Sequence, residues 1–143
     1  MKRFRFNLQK ILDLRAGREQ DAKIELGRAV GRLAELTGRL KALAEDRSRA
    51  AAGRFARSNS AEDMRAYELY ITRLDSQKEE LLEEAAAAEL AVNEKREAYL
   101  AASRDRKILD KLREKRFGEY RKLALREEVK LTDDAASSRP AGL

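Results

Sequence analysis

A chain with no histidine and no cysteine among 143 residues has few ways to make or break bonds. The missing imidazole removes the commonest general base and metal ligand; the missing thiols remove thiolate chemistry and any disulfide framework. Carboxylates, cationic side chains and phenols remain. The densest carboxylate group is Glu79, Glu80, Glu83 and Glu84. Its i, i+4 spacing places these groups on one helix face without an imidazole nearby, the pattern of a solvated surface rather than of a metal or acid–base site. No G-x-x-x-x-G-K-[ST] phosphate loop occurs. The expectation is a non-enzyme with no cofactor, no metal site and no catalytic residue.

The cations are more informative. The net charge is +6, and 41% of residues are charged. Residues 1–18 carry +5 and residues 104–126 carry +6, whereas residues 19–103 carry −3 and residues 127–143 carry −2. The second basic segment includes Arg106, Lys107, Lys111, Arg113, Lys115 and Arg116 with Phe117 and Tyr120. Rows of Lys and Arg can bind phosphate without reading sequence. Glutamates at 114, 119, 127 and 128 interrupt this row, and no base-stacking platform accompanies it. A docking surface for an acidic or ring-shaped protein is expected, and nucleic acid is not.

The elements that must position these groups are long helices. From Met64 to Leu123 a stripe advances by alternating three and four residues through Tyr67, Ile71, Leu74, Leu81, Ala88, Val92, Tyr99 and Leu109. This is the a/d repeat of a coiled coil. A second stripe runs from Leu8 through Leu12, Leu26, Leu33, Leu36, Leu40 and Leu43 to Arg54. Gly17, Gly27, Gly31 and Gly38 lie inside that helix at a cost of about 1 kcal/mol each relative to Ala. The Gly27-x-x-x-Gly31 pair stands in a charged context and reads as close helix packing or drift, not as a membrane dimer motif. Asn7 is expected as the first N-cap, with Phe6 and Ile11 forming a hydrophobic staple. Asn59 with Glu62, or Ser60 with Asp63, is expected to cap the second helix.

These signals predict an all-α, two-helix antiparallel coiled-coil hairpin over residues 1–135 with the second helix longer than the first. Helix one spans about 7–56, the turn about 57–60 and helix two about 61–130, with a disordered tail at 136–143. A turn centred near residue 58 or 59 sets residue i opposite roughly 118 − i. Helix one then runs out near residue 110, and Arg113 to Lys130 overhang without an intramolecular partner. Arg113 and Arg116 occupy seam positions there, which suits a surface facing water or another molecule, because a buried unpaired charge costs several kcal/mol. The same stripes would also serve a long dimer paired between chains. Neither helix contains the roughly 20-residue apolar run of a membrane span. The start MKRFRFNLQK lacks the apolar stretch of a secretory signal, so a cytoplasmic protein is expected.

Three blocks together resemble the flagellar export protein FliJ family. Phe6-x-Leu8-x-x-Ile11-Leu12-x-Leu14-Arg15 is similar to its opening pattern. Tyr67-x-x-Tyr70-Ile71-x-x-Leu74 is similar to its stretch after the turn. The run from Arg106 to Arg116 is similar to its R-K-x-L-E-K-L-K-E-K-R block, with Asp110 where Glu is usual. The resemblance covers residues 4 to about 135. It implies a role in flagellar type III protein export, and so in flagellum biogenesis, motility and chemotaxis. The implied part is a stalk, similar to the γ subunit of rotary ATPases, that enters the hexameric ring of the export ATPase, promotes its assembly and activity, and couples it to the export gate membrane protein. Export chaperones are further implied partners, and escort of chaperones without a motor role is the alternative. Arg106, Lys107, Lys111, Arg113, Lys115 and Arg116 are the implied ring contacts, and Tyr70 and Leu74 the implied gate contacts. The implied place is the cytoplasmic face of the inner membrane, held there through partners.

Overall fold

The structure is a computed structural model that describes residues 2–138. Two helices make up most of them, and they pack on each other as an antiparallel hairpin: α1, Gln9–Gly53, and the longer α2, Ala61–Ser137. The chain divides into two compact units. Met1–Gln20 and Leu100–Leu143 form one, here the terminal unit; Asp21–Tyr99 form the other, the turn unit.

In the turn unit the 3-4 stripes are the packed seam. Leu36, Leu43 and Ala50 of α1 and Ile71, Leu74, Ala88 and Val92 of α2 are buried. Leu36, at 1% exposure, is the most deeply buried large side chain. Lys78 and Lys95 fall at 3-4 positions of the α2 stripe and are exposed, as long side chains that keep their ammonium groups in water can be. Ion pairs flank the seam: Arg47 Nε donates to Asp75 Oδ1 at 2.7 Å, and Arg54 Nη1 to Glu68 Oε1 at 2.7 Å. Both pairs set residue i opposite 122 − i. This is one helical turn from the 118 − i that the sequence suggests. The offset arises because residues 61–66 are all exposed, so α1 meets α2 only beyond its first turns.

The connection is longer than the expected 57–60, because α1 stops at Gly53 rather than near residue 56. Asn59 does not cap α2. Its Nδ2 donates to the carbonyls of Gly53 at 2.7 Å and Arg54 at 3.3 Å, satisfying orphan acceptors at the end of α1. Ser60 is the cap of α2: its N–H donates to Asp63 Oδ2 at 2.9 Å, and Asp63 N–H donates to Ser60 Oγ at 3.2 Å. This is a capping box with Asp in the place of Glu. Gly53 also admits Tyr67, whose hydroxyl would lie 3.2 Å from a Cβ at that position. Gly27, Gly31 and Gly38 have no such neighbour: an added Cβ meets nothing within 4 Å, so close packing does not require them.

In the terminal unit, Phe6, Leu12 and Leu109 form a small core, with Phe4, Leu8 and Leu112 packed on it. Ile11 is 44% exposed, so Phe6 packs on Leu12 and Leu109 and the expected Phe6–Ile11 staple does not form. The helix starts at Gln9, not Asn7, and its first turn is fixed by Gln9 N–H donating to the Phe6 carbonyl at 3.1 Å. Glu19 and Arg106, both polar seam residues, neutralise one another, and Arg106 also bonds Asp110. α2 continues to Ser137, seven residues past the expected end at Lys130. Of the expected tail, residues 139–143 lie outside the described residues.

Candidate partner-binding surfaces

The terminal unit concentrates the positive charge. It holds eighteen Lys and Arg against ten Asp and Glu, a net +8, while the turn unit holds fourteen against sixteen, a net −2. The six basic residues expected to meet a ring fall into two groups. Arg106, Arg113 and Arg116 are engaged within the chain. The contacts of Arg106 with Glu19 and Asp110 raise its pKa, the hydrogen bond to Glu19 being the largest cause. Arg113 Nε donates to Gln9 Oε1 at 3.1 Å, and its guanidinium carbon lies 5.9 Å from the centre of the Phe4 ring. Arg116 Nη1 donates to Asn7 Oδ1 at 2.7 Å. Lys107, Lys111 and Lys115 are exposed and enter no ion pair among the described residues.

The expected bare overhang from Arg113 is therefore corrected at its start. An arm, residues 2–8, precedes α1 without helical structure and lies against α2. Phe4 meets Phe117 edge-on at 5.2 Å and Tyr120 at 5.4 Å, and Tyr120 Oη donates to the Lys2 carbonyl at 2.8 Å. The arm engages three further seam positions of α2 after α1 has ended, Arg113, Arg116 and Tyr120. From Arg121 to Ser137 every side chain except Ala124 is exposed, including Leu123, Leu125, Val129 and Leu131. The seam arginines thus have partners, and the uncovered part of α2 begins eight residues later than expected. The signal for the arm was present in Phe4-x-Phe6 before the helix and Phe117-x-x-Tyr120 on it. Helical periodicity does not register aromatic pairing by a segment that is not a helix.

In the turn unit the two residues expected to meet the gate separate. Tyr70 is 40% exposed, beside Leu69 at 64%, and lines shallow depressions with Tyr67. Leu74 is 5% exposed and belongs to the seam, so it packs the hairpin and presents no surface to a partner. Phe55, 68% exposed in the connection, adds an aromatic that periodicity does not flag; the Arg54 guanidinium lies 4.5 Å from its ring centre. Among the described residues no helix is long and apolar enough to cross a membrane.

The model of the family described as flagellar FliJ protein matches residues 4–142. No curated protein and no solved structure matches the chain. That match covers nearly all of the hairpin, including the arm, the turn and the basic segment. The chain belongs to the FliJ family, a component of flagellar protein export.

Proposed function

We propose that this chain is a stalk that enters the ring of the flagellar export ATPase, promotes ring assembly and ATP hydrolysis, and couples the ring to the export gate. The observation that carries this reading is the charge of the terminal unit, +8, joined to a helix that continues from Arg121 to Ser137 with its side chains exposed. A positive end with an uncovered helical extension suits the interior of a ring of acidic or polar loops, where complementary fields guide entry. Lys107, Lys111 and Lys115 are the ring contacts that remain available. Arg106, Arg113 and Arg116 support them by holding α1 and the arm in place. Tyr70, with Leu69 beside it, is the contact for the gate; Leu74 supports it from the core. The protein works on the cytoplasmic side, held at the membrane by these partners.

The ATP hydrolysis rate of the cognate export ATPase, measured over a range of concentrations of this chain, tests the reading. Stimulation that saturates near one chain per six ATPase subunits is the expected result. No stimulation by a folded, helical protein overturns the stalk. For the gate contact, Tyr70→Ala should lower export with stimulation retained, and unchanged export would remove Tyr70 from that role.

A further inference from the structure

The exposed side of α2 in the terminal unit is sorted by charge in a way that the linear sequence hides. At about 100° per residue, Arg104, Lys107, Lys111, Lys115, Lys122 and Arg126 fall within one arc of roughly 100°. All six are exposed. The same arc carries Leu100, Ile108, Leu125 and Val129, which are 45%, 62%, 58% and 59% exposed. Gly118 is the one other residue on it between Leu100 and Val129. The acids of this segment, Asp105, Asp110, Glu114, Glu119, Glu127 and Glu128, all lie off the arc. The face runs without a carboxylate for about 45 Å of helix.

We propose that this face lays α2 along an anionic phospholipid surface. The lysines and arginines meet the lipid phosphates, and Ile108, Leu125 and Val129 enter the boundary between headgroups and acyl chains. Three observations favour lipid over a protein or a nucleic acid. Four of the six cations are lysines, point charges on flexible stems that suit a diffuse negative field; arginine is the residue that forks onto a fixed carboxylate. The arginines of this segment that do make directed bonds, Arg106, Arg113 and Arg116, lie off the face and are engaged within the chain. The apolar side chains stand in water between the cations. A bilayer boundary gives them cover, whereas a phosphate backbone gives them none. This contact does not depend on the ATPase reading, because lipid vesicles alone reveal it. Lys107, Lys111 and Lys115 serve both surfaces, so a chain lying on a bilayer is not at the same time inside a ring.

Vesicle flotation with the full chain is the test. The protein should float with vesicles of phosphatidylglycerol and phosphatidylcholine, remain behind with phosphatidylcholine alone, and release as salt is raised. Each cation at such a surface strengthens partitioning roughly fivefold, so Lys107→Glu, Lys111→Glu and Lys115→Glu together should weaken it about a hundredfold or more. Lys111→Glu alone, expected to weaken it about tenfold, keeps the test usable if the triple variant loses helicity. Reversing Lys23, Lys41 and Lys95, exposed residues of the turn unit, changes net charge by the same amount and should leave binding within about threefold. No flotation of the helical protein with anionic vesicles overturns the proposal. So does equal loss in the two triple variants, which would reduce the effect to net charge. Retention on duplex DNA without vesicle binding would reassign the face to nucleic acid.

Discussion

Replacing Phe4 with Ala removes the arm's aromatic contacts with Phe117 and Tyr120 while the core residue Phe6 is retained. Fully burying a phenylalanine is worth about 1.5–3 kcal/mol, and Phe4 is only partly covered, so its burial contributes about 1–2 kcal/mol. Its ring contacts with Phe117 and Tyr120, at 5.2 and 5.4 Å, add about 0.5–1 kcal/mol each at this exposed edge. The sum is about 2–4 kcal/mol. The observed loss has a ceiling, however. Once the arm detaches, it regains its conformational entropy, and the loss cannot exceed the free energy of docking the arm. We therefore expect about 2 kcal/mol. Trypsin reads this directly, since cleavage after Arg5 requires the buried Phe6 to leave its site. About 2 kcal/mol corresponds to a roughly thirtyfold faster cut at Arg5 when opening and closing are fast relative to cleavage. A cycle with Phe117→Ala, followed by urea unfolding, should show a coupling of about 0.5–1.5 kcal/mol between the two rings. An unchanged rate of cleavage after Arg5, together with a coupling below about 0.3 kcal/mol, would refute the docking of the arm through Phe4.

Three further outcomes are expected. Leu36→Ala should cost about 2–3 kcal/mol in urea unfolding, the lower part of the core range because water reaches a two-helix seam easily, whereas Leu131→Ala, at 70% exposure, should stay within about 0.5 kcal/mol. Gly38→Ala should raise stability by about 0.5–1 kcal/mol, since the new methyl meets nothing; Gly53→Ala should gain less, because its methyl presses on the Tyr67 ring, and thermal melts of the pair check the order. Asp75 is held below its ordinary value of 3.8, chiefly by the hydrogen bond from Arg47. A depressed carboxylate stabilises fully above its unfolded pKa and loses that contribution as pH falls through the folded one. The melting-temperature difference between the wild type and Asp75→Asn should therefore be constant from neutral pH to about 5 and should shrink below 3.8. A difference that grows on acidification would reverse the assigned sign.

The seam shows how far periodicity reaches. A stripe at 3-4 spacing must be covered in water, and the short break near residue 58 leaves the second helix of the same chain as the nearest cover. Two helices, their antiparallel direction and most buried positions follow from that alone, down to Leu36, Ile71, Leu74 and Leu109. The family resemblance was also written in local blocks, because each block is a run of seam and flank residues at fixed spacing. The candidate contacts were less legible. Seam membership fixed Leu74 as core, while the resemblance offered it as a contact; burial decides between them. Of the six basic candidates, type and spacing cannot distinguish those that bond within the chain from those left to solvent.

Sequence by itself determined the two striped helices with a short break between them, the absence of histidine and cysteine chemistry, and the gathering of positive charge in the two segments of the terminal unit. These depend on residue type, local spacing and chain connectivity, which need no coordinates. Tertiary structure decided the register, the use of Asn59 to close the end of α1 rather than to cap α2, the pairing of Glu19 with Arg106, and the arm that reaches along α2 as far as Tyr120. Each depends on which groups meet across a separation of several residues to more than a hundred along the chain. No local pattern records that, because the free energy of such a contact belongs to both partners and exists only once the fold has brought them together.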